Sequence, residues 1–205
     1  FEEVLFFHAL CAADKYEAVR KALKKGQDPN ARDHFGRSPL HAACLHGHED
    51  IVSLLCKAEA EPDVVENVDG CTPLHLASIN GNEACVALLL QRGADADAQD
   101  KRGMTSLMLA TQFRNEAILQ LLMDQAESLE LVDDRGWSIL HYAAWRGMAD
   151  ATQSLLEKGG DPRLKAKDGA RAKDVAEACG HGDVVDVFVK WYATHNVGAM
   201  AEKLT

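Results

Sequence analysis

One motif returns along this chain at an almost constant interval, and that interval constrains the fold more than any other feature. Arg37-Ser38-Pro39-Leu40-His41-Ala42-Ala43-Cys44 comes back as Cys71-Thr72-Pro73-Leu74-His75-Leu76-Ala77-Ser78, and again as Trp137-Ser138-Ile139-Leu140-His141-Tyr142-Ala143-Ala144. The turn glycines of five successive copies, Gly36, Gly70, Gly103, Gly136 and Gly169, stand 34, 33, 33 and 33 residues apart. Self-similarity at such a period marks an array of supersecondary units, each of which buries its apolar face only against a neighbour.

Each unit reads as two short helices and a turn. Ser38-Pro39 opens a first helix, with the proline in the first turn where no amide donor is lost, and Leu40, Ala42, Ala43 and Cys44 make that helix apolar. Gly47-His48 breaks it, and Ile51, Val52, Leu54 and Leu55 mark a second. Isolated helices of fewer than roughly 12 to 15 residues are marginal in water, so packing between units must supply the stability. The repeats run at about 1–31, 32–65, 66–98, 99–131, 132–164 and 165–190, with an extension at 191–205. The first is partial, and the last has the polar opening Arg171-Ala172-Lys173-Asp174, as expected of a terminal unit with one face in water.

Asp33-x-x-Gly36-x-Ser38-Pro39-Leu40-His41-x-Ala43, followed by Gly47-His48 and Ile51-Val52-x-x-Leu55, resembles the ankyrin repeat, as do the copies at 67 and 133. The resemblance covers about 190 of the 205 residues. It implies an all-α fold, a single ankyrin-repeat domain over 1–205 in which helix-turn-helix units stack as a solenoid with protruding β-turn fingers. Such a stack is expected to unfold as a nearest-neighbour chain. Ser106, Met108 and Ile139 depart from the pattern, and Glu59 and Ala126 stand where glycine is expected; each of these two costs about 1 kcal/mol if the left-handed backbone is kept.

Composition narrows the function. The formal net charge of −10 repels a phosphate backbone, which argues against nucleic-acid binding. Cys11, Cys44, Cys56, Cys71, Cys85 and Cys179 form no metal-ligand spacing; several replace Ala or Leu at apolar positions, which suits a reducing, intracellular and cytoplasmic setting, with the nucleus left open. Neither an apolar run long enough to span a membrane nor a signal peptide is visible. The chain starts at Phe1 with no methionine, so a fragment of a longer protein stays open.

The clustered histidines suggest chemistry until they are aligned. His8, His41, His75 and His141 fall at one place in successive repeats, which makes them a structural ladder hydrogen-bonding the backbone or a neighbouring hydroxyl. His41 and His46 are about 140° apart round a helix and cannot share a metal on one face. No nucleophile with a base and no phosphate loop is present, so catalysis, metal and cofactor are not expected.

Function is then sought where copies differ: beside the turn glycine and at the end of the first helix. The resemblance implies that these positions face one concave side. They include Met104 and Phe113, then Trp137 and Trp145, with Phe35 further off, and the cations Arg37, Lys101, Arg102, Arg135, Arg146, Lys167 and Arg171. The expected site is Arg102, Met104, Phe113, Arg135, Trp137, Trp145 and Arg146, binding a protein or peptide, acidic or phosphorylated, on a chain that is a monomer in isolation. The alternatives are that the tryptophans only pack over adjacent turns, and that the cations pair with Asp100, Asp133 and Asp134 as a solvated rim. A regulatory or substrate-recruiting role within a larger enzyme, such as a kinase, acyltransferase or ligase component, and a self-associating scaffold are the competing functions.

Overall fold

The structure is a computed structural model and describes residues 2–195. Among these the chain is all-α, with twelve helices in six pairs: α1 (Glu2–Ala12) and α2 (Tyr16–Lys24), α3 (Pro39–His46) and α4 (Glu49–Lys57), α5 (Pro73–Ile79) and α6 (Glu83–Gln91), α7 (Ser106–Gln112) and α8 (Glu116–Met123), α9 (Ile139–Trp145) and α10 (Ala149–Glu157), α11 (Ala172–Cys179) and α12 (Gly182–His195). Isolated antiparallel bridges, Gln99 with Thr105 and Lys165 with Arg171, close two of the turns between pairs. Of the extension expected at 191–205, residues 191–195 continue α12 and the rest lies outside the described residues.

The first helices start where capping chemistry dictates. Thr72 takes an extended backbone and accepts the His75 amide at 3.4 Å, while its own amide donates to His75 Nδ1 at 3.1 Å. Ser38 with His41 and Ser138 with His141 form the same reciprocal box. Because Nδ1 accepts a backbone amide, the ring proton must sit on Nε2. That proton is spent on the next turn. Nε2 of His41 donates to the Cys71 carbonyl at 3.0 Å, that of His75 to Met104 at 3.0 Å and that of His141 to Ala170 at 3.2 Å. His8 Nε2 lies 2.9 Å from the Arg37 carbonyl and completes the ladder. Met108 holds the same place in the fourth repeat, and its side chain has no N–H to donate.

Burial fixes the state of these rings. It pushes the His41 imidazole down to about 4 and those of His75 and His141 below their ordinary value, so these three rings are neutral at pH 7. Cys11, Cys44, Cys56, Cys71 and Cys85 are buried as expected of small hydrophobes, and burial pushes the Cys11 and Cys71 thiols up to about 12. Cys179 departs from that reading, being exposed at the end of α11.

The chain divides into two compact units, Phe1–Glu127 and Ser128–Thr205. In unit 1 the first helices α1, α3, α5 and α7 pack in sequence, as do the second helices α2, α4, α6 and α8. Its fully buried side chains include Leu40, Ile51, Leu55, Leu74, Leu89 and Leu122. In unit 2, α9 packs on α11 and α10 on α12, around Tyr142, Leu155, Val184 and Phe188.

Two helix ends differ from expectation. Glu59 keeps the left-handed backbone (φ 62°), whereas Ala126 does not adopt it and its amide returns to the Leu122 carbonyl at 2.9 Å. Arg114, at the place held by Gly47, Gly81, Gly147 and Gly180 elsewhere, is left-handed at φ 59°.

Candidate functional site

The surface is built on the turns, and one buried carboxylate organises each of the first four. Asp33 accepts the Phe35 and Arg37 amides at 2.9 Å each, and Glu66 accepts those of Val68 at 2.7 Å, Asp69 at 2.6 Å and Cys71 at 3.1 Å. Asp100 accepts Arg102 at 2.8 Å and Met104 at 2.9 Å; Asp133 accepts Arg135 at 2.9 Å and Trp137 at 2.8 Å. These bonds set the direction of the side chains flanking the turn glycine. Burial alone would raise the Asp33, Glu66 and Asp133 carboxyls, but the amides, joined at Asp33 and Asp133 by an arginine, outweigh it and hold all three below the usual range.

The same carboxylates capture the arginines beside them. Arg37 pairs with Asp33 at 2.8 Å, Arg135 with Asp133 at 3.0 Å, and Arg102 more loosely with Asp100 at 3.5 Å, its side chain 64% exposed. Three cations of the expected rim are thus neutralised from within their own turns. Arg146 differs. It caps the C-terminal end of α9, its Cζ lies 5.2 Å from the Trp145 ring centroid, its Nε is buried without an acceptor, and no carboxylate pairs with it among the described residues.

In unit 2 the aromatic residues meet around Tyr142. Trp137 contacts Tyr142 at 5.4 Å and Trp145 at 6.2 Å between ring centroids, both edge-on, and stacks on His141 at 6.0 Å. Arg135 lies over Trp137, 4.4 Å from its centroid, and donates to the Tyr142 hydroxyl at 2.6 Å; that hydroxyl donates to Asp133 at 2.8 Å. Tyr142 is therefore the pivot that ties the finger to α9, and nothing in the repeat pattern announced it. Trp137 is half-buried and serves partly as cover, while Trp145 keeps 37% of its surface exposed.

Of the expected residues in unit 1, Phe113 is at the surface, 48% exposed at the end of α7. Met104 is not: it is 3% exposed and its carbonyl receives the His75 ring, so it belongs to the core and leaves the candidate set. An open groove of about 500 Å³ lies instead over the first three repeats. Apolar Leu5, Phe35 and Val68, small Ala9, Ala12 and Ala42, and polar Arg37 and Asp69 are among the residues that line it. Phe35 and Val68 sit at variable turn positions, and that signal was available in the sequence.

No helix among the described residues is long and apolar enough to cross a membrane, and no three metal-ligating side chains converge there.

Comparison with known proteins agrees with this architecture. The family model for ankyrin repeats matches three times, at residues 7–100, 89–168 and 107–198. The crystal structure of the ankyrin repeat domain of Bcl-3, titled a unique member of the IkappaB protein family, superposes with a TM-score of 0.80 at 25% identity, over 90% of this chain and 84% of that one. A stretch of 46 residues is 50% identical to the acyl-CoA-binding domain-containing protein 6 of Danio rerio, covering 22% of this chain and 15% of that protein.

Proposed function

The chain belongs to the ankyrin repeat family, and from that premise we propose that it is a non-catalytic protein-interaction module whose energetic centre is Trp145 with Trp137 behind it. The observation that carries this reading is a large indole left 37% exposed although Tyr142, Trp137 and Arg146 hold it in place. Aromatic and arginine side chains in such settings bury much area at little rotamer cost. Because the turn carboxylates and the Tyr142 hydroxyl already fix the surface, a bound segment is received by a preorganised surface that gives up little freedom.

In unit 1, Phe113 and Arg102 are candidate contacts in their own right; in unit 2, Arg135 contributes through the face it lays on Trp137. The partner is a protein or peptide carrying acidic or phosphorylated side chains. Catalysis has no place in the reading, since the ladder histidines that could serve as bases are buried, neutral and committed to carbonyls. The module acts as a monomer in the reducing cytoplasm, which the five buried thiols support.

Trp145→Ala tests the reading: it should weaken binding to partners captured on the intact chain by about 2 kcal/mol or more while moving the thermal midpoint little. Lost stability with intact binding would make the aromatic cluster core and end the proposal. A second reading is the regulatory or substrate-recruiting part of a larger enzyme; the matched Danio rerio protein, of which the shared stretch is 15%, supports only that such a stretch can belong to a longer chain. A catalytic domain encoded in the full-length transcript would support it.

A further inference from the structure

Of the arginines at the turn and inner-helix positions, three are already answered by a carboxylate. Arg37, Arg102 and Arg135 face Asp33, Asp100 and Asp133 of their own turns. Arg146 has no such partner. Its backbone amide is engaged with the Tyr142 carbonyl at 3.0 Å and its guanidinium rests on Trp145, but Nε is buried and donates to nothing. The negative end of α9 and the indole face hold the cation in place without neutralising it. The Nη groups of this guanidinium have no hydrogen-bond or ion-pair partner among the described residues, and they suit a carboxylate or phosphate, which they can take in a two-pronged contact.

The distribution of charge favours unit 2 over unit 1 for an anionic partner. Unit 1 carries 12 basic and 20 acidic residues, a formal −8, while unit 2 carries 10 and 12, a formal −2. An anionic segment approaching unit 2 therefore meets less repulsion, and the free donors of Arg146 give it a specific landing point.

We propose that Arg146, seated on Trp145, is the specificity-determining anion receptor of unit 2: a bound peptide places one carboxylate or phosphate side chain on the Arg146 guanidinium and an adjacent apolar side chain against the exposed indole. The proposal rests on the interaction reading above and sharpens it, because it removes Arg135 and Arg102 from direct anion recognition. Arg135 instead positions Trp137 through Asp133 and the Tyr142 hydroxyl.

The test uses the full chain and a random linear peptide library displayed on phage. Selected sequences should place Asp or Glu beside an aromatic or aliphatic residue. For a synthetic peptide from that selection, Glu→Gln in the peptide and Arg146→Gln in the protein should each weaken binding by about tenfold, and together by no more than about tenfold. Arg146→Lys should retain part of the affinity, which separates loss of charge from loss of folding. A phosphoserine peptide that binds more tightly than its glutamate counterpart assigns the site to phosphate; the reverse order assigns it to carboxylate.

Selected peptides without an acid, or additive losses in the double substitution, would overturn the proposal. If Trp145→Ala abolishes binding and Arg146→Gln leaves it unchanged, the anion receptor fails and the interaction surface stands. If neither substitution weakens binding, or the library yields no binder, both fail.

Discussion

In unit 1 the first helices contribute small Ala9, Ala12 and Ala42, which line an open groove together with Phe35 and Val68. In unit 2 the corresponding face carries Tyr142, Trp137 and Trp145, whose rings fill the space and stand against one another. Both faces rest on the same kind of histidine bond to the next turn and on the same carboxylate-centred turns. The difference therefore lies in side-chain volume at positions that the framework leaves free: unit 1 recedes where unit 2 projects.

If the framework is shared, breaking it should cost stability according to how closely the next repeat approaches. Gly136 is left-handed at φ 76°, and a Cβ there would meet the Lys167 amide nitrogen at 2.9 Å and the Ala166 Cα at 3.2 Å. Gly169, at the same place in the terminal repeat, would meet nothing within 4 Å. Gly136→Ala should cost about 3 kcal/mol, combining left-handed strain with a backbone collision, and Gly169→Ala only about 1 kcal/mol. Chemical denaturation of the two variants measures the gap; equal losses would show that the turn contact is not what the glycine serves.

Acid should separate the units next. His41, His75 and His141 are held below their ordinary pKa chiefly by burial, so as pH falls below about 6.5 the unfolded chain takes up protons that the native state refuses. Stability is thus fully present above that value and declines towards about 4, the folded value of His41. Below about 4.5 the depressed carboxyls of Asp33, Glu66 and Asp133 add to the loss, since their unfolded forms protonate first. Unit 1 contains two of the three rings and two of the three carboxyls. Amide exchange should therefore accelerate in α3 and α5 before α9, and the reverse order would contradict the assignment.

The smallest effect sharpens the comparison within unit 1. Arg114→Gly relieves a left-handed arginine at φ 59° and should raise stability by about 1 kcal/mol, read from the denaturation midpoint.

The repeats were legible because packing dictates them. Ser38-Pro39 and Thr72-Pro73 announce helix starts, and the recurrence of His41, His75 and His141 betrays one structural duty. The site was less legible because the position after the turn glycine lies on the edge of the core. Arg37 reaches out from it, Met104 is swallowed and Trp137 is half-covered, so identity at that position does not give exposure. Nor does periodicity reveal that Tyr142 joins Asp133 to Arg135, a tie made in space across nine residues of chain. The groove of unit 1 had a visible sign in exposed Phe35 and Val68, whereas the alanines that also line it, Ala9, Ala12 and Ala42, looked like ordinary helix composition.

All three tryptophans, Trp137, Trp145 and Trp191, lie in unit 2, so selectively excited tryptophan fluorescence reports on that unit alone. The most direct test is a fluorescence titration of a Trp191→Phe chain with a peptide selected on the wild-type protein. Binding centred on the aromatic surface should shift the emission of Trp137 and Trp145 in step with occupancy. Saturable binding with unchanged emission would place the partner on the groove of unit 1 and contradict the account.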